Sequence, residues 1–237
     1  MTAKFEAVAE NSSLSAVDFA TQHTLQFIES VMELRPNLRF LEVGCGKGHL
    51  AKALVDKGHL VIPIDVSEEA VSFARSLGLP AKQADIFGVS DSVFDGILFI
   101  QSLHHINPLD RSLAQAARLL DQGGFVLVDD FAFNKIDEKT AAWFQGIQNV
   151  LAGSGINSFH DISMGEAFAE ELIRALRDVF RKVEVSEGGP YLYRYFVSKT
   201  ESRMEIRDLI KAVFEWERYQ IEKGFIQGVG LRVIGFK

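Results

Sequence analysis

Three glycines alternate at Gly44, Gly46 and Gly48, directly behind the apolar run Phe40-Leu41-Glu42-Val43 and ahead of the helix-like stretch Leu50 to Val55. Glycine permits positive φ and lets a ligand approach the backbone with no Cβ between them. The first amides of a following helix point at whatever occupies the turn. The loop therefore reads as a binding site. Its spacing limits what it binds. A dinucleotide fingerprint needs G-x-G-x-x-G, whose third glycine lets helix and strand pack closely. Here His49 holds that position and the third glycine comes one residue early. A phosphate-cradling loop needs Gly-Lys-Ser/Thr, which does not follow. Further along stand acidic or polar residues that each close an apolar run: Asp65, Asp85, Gln101, and the pair Asp129-Asp130. His104-His105 comes three residues after Gln101. Imidazole is the side chain suited to moving a proton near neutral pH.

Five short apolar runs must position these groups: Phe40–Val43, Leu60–Ile64, Leu79–Ala84, Phe94–Ile100 and Phe125–Val128. Each is followed by a helical period. The second helix has Ser67 placed as N-cap, with Glu68 and Glu69 in its positive first turn. Continuous apolar strands alternating with helices indicate a parallel sheet covered on both faces. Ligands of such sheets sit beyond the carboxyl ends of the strands, at a topological switch point. The chemistry-bearing residues all fall at those ends. A helix over 14–34 precedes the first strand, and Gln22 and His23 of that helix could reach the site. After Asp130 the rhythm changes. Helices are expected over Lys139–Leu151, Met164–Phe180 and about Glu201–Glu222, with strands at Val183–Val185 and Val229–Phe236, for seven strands in all.

Composition narrows the partners. With 25 Lys plus Arg against 32 Asp plus Glu, the net charge is −7, which disfavours broad contact with nucleic acid. The single cysteine, Cys45, cannot form an internal disulfide and fits a reducing compartment. No apolar run approaches the ~18 residues of a spanning helix, so no membrane insertion is expected. The expectation is a cytoplasmic protein, monomer or homodimer, folded as a single domain over 1–237.

The segment E-x-G-x-G-x-G, Glu42 to Gly48, resembles motif I of the class I S-adenosylmethionine (SAM) dependent methyltransferases. Phe94-Asp95-Gly96-Ile97-Leu98-Phe99-Ile100-Gln101-Ser102-Leu103-His104-His105-Ile106 is similar to motif IV of their UbiE-like and type 11 or 12 small-molecule branch. Leu120-Asp121-Gln122-Gly123-Gly124-Phe125 is similar to a third motif, with Gln122 in place of its proline. The resemblance covers residues 38–130 by motif and the rest by architecture. It implies a Rossmann-like α/β fold with a seven-stranded, mostly parallel sheet, one antiparallel strand, and helices on both faces. It implies that Glu42, Gly44, Cys45, Gly46 and Gly48 hold the methionine end of SAM. Asp65 and Val66 would meet the ribose, Asp85 and Ile86 the adenine, and Gln101 the methionine side. The helix between the last two strands departs from the family's shortest pattern, a hairpin.

A sulfonium methyl is already activated, so its transfer is an in-line displacement in which positioning and desolvation do much of the work. Oxygen and nitrogen acceptors of high pKa also need a base. His104 or His105, oriented by Asp129 or Asp130 one strand over, supplies that arrangement, and it resembles the His/Asp pair of some sugar O-methyltransferases. No metal is implied. The segments 131–162 and 188–223 are expected to cap the site and receive a small-molecule acceptor. Their aromatic residues Trp143, Phe144, Phe159, Tyr191, Tyr193 and Tyr195 line such a pocket in one reading and fill the core in the other. Alternatives are a protein or RNA methyltransferase, a SAM-binding partner protein without catalysis, and a nicotinamide-dependent oxidoreductase, which His49 disfavours.

Overall fold

The computed structural model describes residues 16–32, 37–90, 93–152, 168–197 and 204–237. Its strands are β1 (Arg39–Val43), β2 (Leu60–Asp65), β3 (Lys82–Gln83), β4 (Phe94–Ile100), β5 (Leu120–Phe131), β6 (Lys182–Gly189) and β7 (Gly230–Phe236). They form one sheet in the order β3-β2-β1-β4-β5-β7-β6. The first five run parallel, and β7 is antiparallel to both neighbours. The order reverses between β1 and β4, so their carboxyl ends open the crevice where a ligand fits.

Side chains of successive strand residues point to opposite faces. Phe40, Leu98, Phe125 and Leu127 go to one face. There they meet Leu25 and Ile28 of α1 (Ala16–Met32), Leu50, Ala51 and Leu54 of α2 (His49–Asp56), and Val71 and Ala74 of α3 (Glu68–Ser76). Leu41, Val43, Ile97, Phe99, Val126 and Val128 go to the other face, against α4 (Leu109–Leu119) and α6 (Phe168–Val179). A third apolar cluster joins Phe19 of α1, α5 (Glu138–Ala152), the segment Tyr191–Val197 with the short α7 (Arg194–Val197), and α8 (Met204–Glu222).

Three expected strands change length by more than one residue, the sixth growing from Val183–Val185 to Lys182–Gly189. The third strand shrinks from Leu79–Ala84 to Lys82–Gln83, because Pro80 has no N–H to give a ladder. The fifth strand grows from Phe125–Val128 to Leu120–Phe131: Leu120 pairs with Phe94, and pairing resumes at Gly96 and Phe125 after an irregularity. The start of the helix expected from Met164, and Phe159, lie outside the described residues.

Candidate active site at the carboxyl ends of the strands

The glycine loop is held from two sides. The amides of Gly44 and Cys45 donate to the carbonyl of Ile64 at 2.9 and 3.0 Å, which ties the turn to β2. Asp65 then accepts from the Gly46 amide at 2.8 Å with one carboxylate oxygen and from the Ser67 amide at 2.9 Å with the other. The three glycines serve different ends. A Cβ on Gly44 would stand 2.5 Å from Cβ of Ser102, whose hydroxyl donates to the Val43 carbonyl at 2.6 Å. A Cβ on Gly48 would stand 2.9 Å from Cβ of Ala74 and 2.7 Å from Leu79. Gly48 thus lets α2 and α3 approach, and its surroundings are protein. A Cβ on Gly46 would meet nothing within 4 Å. Gly46 is the member of the trio that faces open space.

Two of the cavities beside this loop share Gly44, Gly46 and Gln101 in their walls. One, of about 410 Å³, is also lined by Asp65, Val66, Asp85, Ile86, Phe87 and His105. Asp85 caps the turn Ile86–Gly88, accepting from the Gly88 amide at 2.9 Å. That holds the Ile86 amide and the exposed Phe87 ring at the rim. The other cavity, of about 320 Å³, is lined by Thr21, Thr24, Glu42, Cys45, His49 and Arg194 among others. Gln101 divides the two with a backbone φ of 53°, which an L-residue adopts only under local constraint. Its amide donates to the Asp129 carbonyl at 2.9 Å, which holds the turn in place.

The smaller cavity is built for opposite charges. Glu42 is 3% exposed. It accepts from the Ala51 amide in the first turn of α2, and burial pushes its carboxyl up to about 8. Its Oε2 has no partner. A buried carboxylate oxygen left unpaired costs free energy until a donor arrives, so this position suits a cation. Arg194 supplies the complement. Its Nη2 donates to the Thr24 hydroxyl at 3.0 Å and to Asp129 Oδ2 at 2.8 Å, while its Nε is buried without a partner. Asp129 also accepts from Thr24 at 3.1 Å and from Arg232 Nε at 3.3 Å. Burial works to raise the Asp129 carboxyl, but Arg194 and Arg232 outweigh it and hold it below its ordinary value. Asp129 is thus a fixed anion between two cations, which leaves this corner net positive. The Cys45 thiol, pushed up to about 12 chiefly by burial, is a neutral wall of this cavity.

Asp130 faces the other side of the sheet. It is fully buried, and His104 Nδ1 lies 2.9 and 3.0 Å from its two oxygens. Its Oδ1 also accepts from the Phe131 amide at 3.0 Å. An Nδ1–H donated to this carboxylate leaves Nε2 of the neutral ring as the acceptor. The His104 ring lies 3.9 Å from His105 and 5.1 Å from Phe131, centroid to centroid. Burial, and then His104, lower the His105 pKa, so His105 is neutral near pH 7. Among the described residues no three His, Cys, Asp or Glu side chains group as metal ligands. No described helix is long and apolar enough to cross a membrane.

Residues 41–128 match the methyltransferase domain family. This central stretch is similar to methyltransferase domains. It is 31% identical over 124 residues to an uncharacterized methyltransferase of Bacillus subtilis, covering 48% of this chain and 49% of that protein. It is 26% identical over 159 residues to a ubiquinone biosynthesis O-methyltransferase of Idiomarina loihiensis, covering 61% and 63%. The matches thus span about half to two thirds of the relatives' length. The fold superposes on a SAM-dependent methyltransferase of Archaeoglobus fulgidus with a TM-score of 0.60 at 14% identity, covering 92% of this chain and 93% of that one.

Set against this domain, the geometry brings Glu42, Gly44, Cys45, Gly46, Asp65, Val66, Asp85, Ile86, Gln101 and His105 into the two cavity walls. Gly48 stands behind the wall, against Ala74 and Leu79. The N-terminal helix enters the smaller cavity through Thr21 and Thr24. His23 is buried against Phe214, 4.3 Å between centroids, and Gln22 faces Lys52 and Ala53 of α2. Phe144, Tyr191 and Tyr193 fill the third apolar cluster. Three residues at or behind the site are absent from the sequence reading: Thr24, Arg194 and Glu217. Arg194 had a visible signal, a lone charge inside Tyr191-Leu192-Tyr193-Arg194-Tyr195-Phe196. A charge in such a run must be buried with a partner.

Proposed function

We propose that this protein transfers a methyl group from SAM to an oxygen or nitrogen of a small-molecule acceptor. SAM, when bound, supplies an electrophilic methyl group on a sulfonium. The residues present fit it. Glu42 Oε2, buried and unpartnered, would take its ammonium. The guanidinium of Arg194 and the hydroxyl of Thr24 would take its carboxylate. Asp65, already pinned by two amides, keeps free lone pairs for the ribose hydroxyls, and Asp85 and the Ile86 amide would meet the adenine edge. Gly46 leaves room where a Cβ would otherwise stand.

The observation that carries the catalytic part is the contact of 2.9 Å between His104 and Asp130, on the side of the sheet opposite the methionine corner. Asp130 fixes the tautomer, and His104 Nε2 accepts the proton of the acceptor O–H or N–H. The lone pair so released takes up the methyl group that SAM, held by Glu42, Arg194, Thr24 and Asp65, would supply. His105, neutral and in the adenosine-side wall, packs against His104 and holds its ring angle. The ubiquinone-pathway relative is named as an O-methyltransferase, which supports an oxygen acceptor. A net charge of −7 argues against an RNA substrate.

The test is a screen of phenols, alcohols and amines with methyl-labelled SAM, followed by His104→Ala against the accepted compound. Loss of turnover with S-adenosylhomocysteine binding intact is expected. Full turnover by the variant would remove the base assignment. Stabilisation by NADH and not by SAM in a melting assay would remove the whole reading.

A further inference from the structure

Glu217 lies on the buried face of α8 and is fully inaccessible to solvent. It is not among the residues that line either cavity described above. Its carboxylate instead accepts three consecutive backbone amides: Tyr191 at 2.7 Å and Leu192 at 2.9 Å on Oε1, and Tyr193 at 2.9 Å on Oε2. The next residue is Arg194. The three amides sit where α7 begins, and a carboxylate there opposes the positive end of the turn. Burial pushes the Glu217 carboxyl up to about 7, against the pull of these amides and of Arg194. A group that costly to bury, outside any site, calls for a reason.

The side chain that follows the backbone clasped by Glu217 is anchored in turn. Arg194 ends in Thr24 of α1 and Asp129 of β5, at 3.0 and 2.8 Å. One end of this four-residue segment is thus fixed by α8 and the other by the cavity wall. The guanidinium crosses the Tyr191 ring at 5.2 Å and the Tyr193 ring at 5.7 Å on its way. Both of those residues are held by Glu217 through their amides. Freeing residues 191–193 would let the whole arm carrying Arg194 retreat from the cavity.

We infer that Glu217 is a positioning residue for the methionine end of the cofactor. It locks the Tyr191–Tyr193 backbone so that Arg194 presents its guanidinium to the cofactor carboxylate, which makes α8 a working part of the cofactor site. This rests on the reading of Arg194 as the carboxylate partner, and the experiment separates the two.

Glu217→Gln keeps the volume and removes the charge. Affinity is measured by calorimetry for S-adenosylhomocysteine, which has the amino-acid end, and for methylthioadenosine, which lacks it. E217Q should weaken S-adenosylhomocysteine on the order of tenfold and leave methylthioadenosine unchanged. Arg194→Met should show the same selectivity, and the double variant should lose no more than R194M alone. Equal losses for both ligands in E217Q, or full additivity in the double variant, would overturn the positioning role. If R194M binds S-adenosylhomocysteine normally, the Arg194 reading falls, and the inference with it. If R194M is selective and E217Q is not, the inference falls alone. Should E217Q not fold, Glu217→Asp retains the charge one methylene short, with the same selective loss expected. Far-UV circular dichroism and melting establish folding in each case.

Discussion

Asp129 and Asp130 are neighbours on one strand, both buried, with 2% and 0% exposure. They serve opposite faces of the sheet because strand side chains alternate. Asp129 meets two guanidinium groups and a threonine hydroxyl. Arginine does not lose its charge in proteins, so that corner is electrically fixed. Asp130 meets one imidazole, a ring that can donate at one nitrogen and accept at the other. One carboxylate therefore anchors fixed charges, and the other orients an imidazole ring. On the proposed mechanism, a two-residue acidic run at the end of a strand would serve cofactor binding on one face and proton transfer on the other.

The largest effect should come from the proton-transfer side. His104→Ala should lower kcat on the order of a hundredfold or more, the range for removing a general base. S-adenosylhomocysteine affinity should not change. Asp130→Asn should follow it closely, because an amide at 2.9 Å from Nδ1 no longer enforces the tautomer that leaves Nε2 free. If both substitutions instead weakened the nucleoside and left kcat alone, the two aspartates would have exchanged roles and the comparison would be broken.

Stability should show the reverse ranking. Asp129→Ala strands Arg194 and Arg232 without their shared counter-charge in a buried site, and breaking such a pair costs about 3–5 kcal/mol. For a domain of this size that is a melting-temperature loss of roughly 10 °C. Asp130→Asn should cost far less, since the amide keeps the volume, can still hydrogen-bond the His104 ring and leaves no guanidinium without its counter-charge. A differential melting scan of the two variants decides it. Equal losses would mean that Asp129 is no more an electrostatic anchor than its neighbour.

The methionine corner also predicts a pH signature. Glu42 has its carboxyl raised to about 8 by burial, so without ligand it holds a proton through neutral pH. Placing an ammonium on Oε2 favours the ionised form, so binding releases that proton. Between about pH 6 and 7.5, affinity for S-adenosylhomocysteine should rise with pH, by about tenfold per unit at most. The sign for stability is opposite. In the free protein the native state binds more protons than the unfolded one between the unfolded carboxylate range and about 8. The Glu42 contribution to stability therefore falls as pH rises through that window. Calorimetry in buffers of different ionisation enthalpy would count the released proton, and Glu42→Gln should abolish the affinity slope and only reduce the stability slope, to which Glu217, raised to about 7, contributes with the same sign. A flat affinity profile would mean that Glu42 is not the ammonium partner.

The halves of the site were unequally legible in the sequence. Residues at strand ends could be placed because apolar runs announce where strands stop, and Asp65, Asp85 and Gln101 all follow such runs. Which of two adjacent aspartates faced the histidines was a matter of register, fixed only once β5 paired with β4 and β7. Arg194 and Glu217 come from the last third of the chain, which reaches the site by tertiary packing and carries no loop motif. Glu217 still left a trace. Ile210, Val213, Phe214 and Glu217 recur at helical spacing on the buried stripe of α8. A carboxylate on an apolar stripe signals a buried acceptor. The contrasting roles of Gly46 and Gly48 had no trace, because the neighbours that separate them are Ala74 and Leu79.

The smallest expected effect lies at the boundary of the two cavities. Gln101 holds a φ of 53° although it has a Cβ. For an L-residue that conformation costs on the order of 1 kcal/mol, and glycine removes the cost while paying about 0.5–1 kcal/mol in chain entropy. Gln101→Gly should thus change stability by less than about 1 kcal/mol, or at most a few degrees in melting temperature. The amide of residue 101 can still donate to the Asp129 carbonyl in the glycine variant. Affinity should fall more visibly, because the carboxamide is lost from both cavity walls. Gln101→Ala, which keeps the strained φ and lacks the carboxamide, should match glycine in affinity and sit below it in melting temperature. If alanine and glycine were equally stable, the strain at this turn would be relieved elsewhere. If neither affected affinity, the divider between the cavities would be backbone alone.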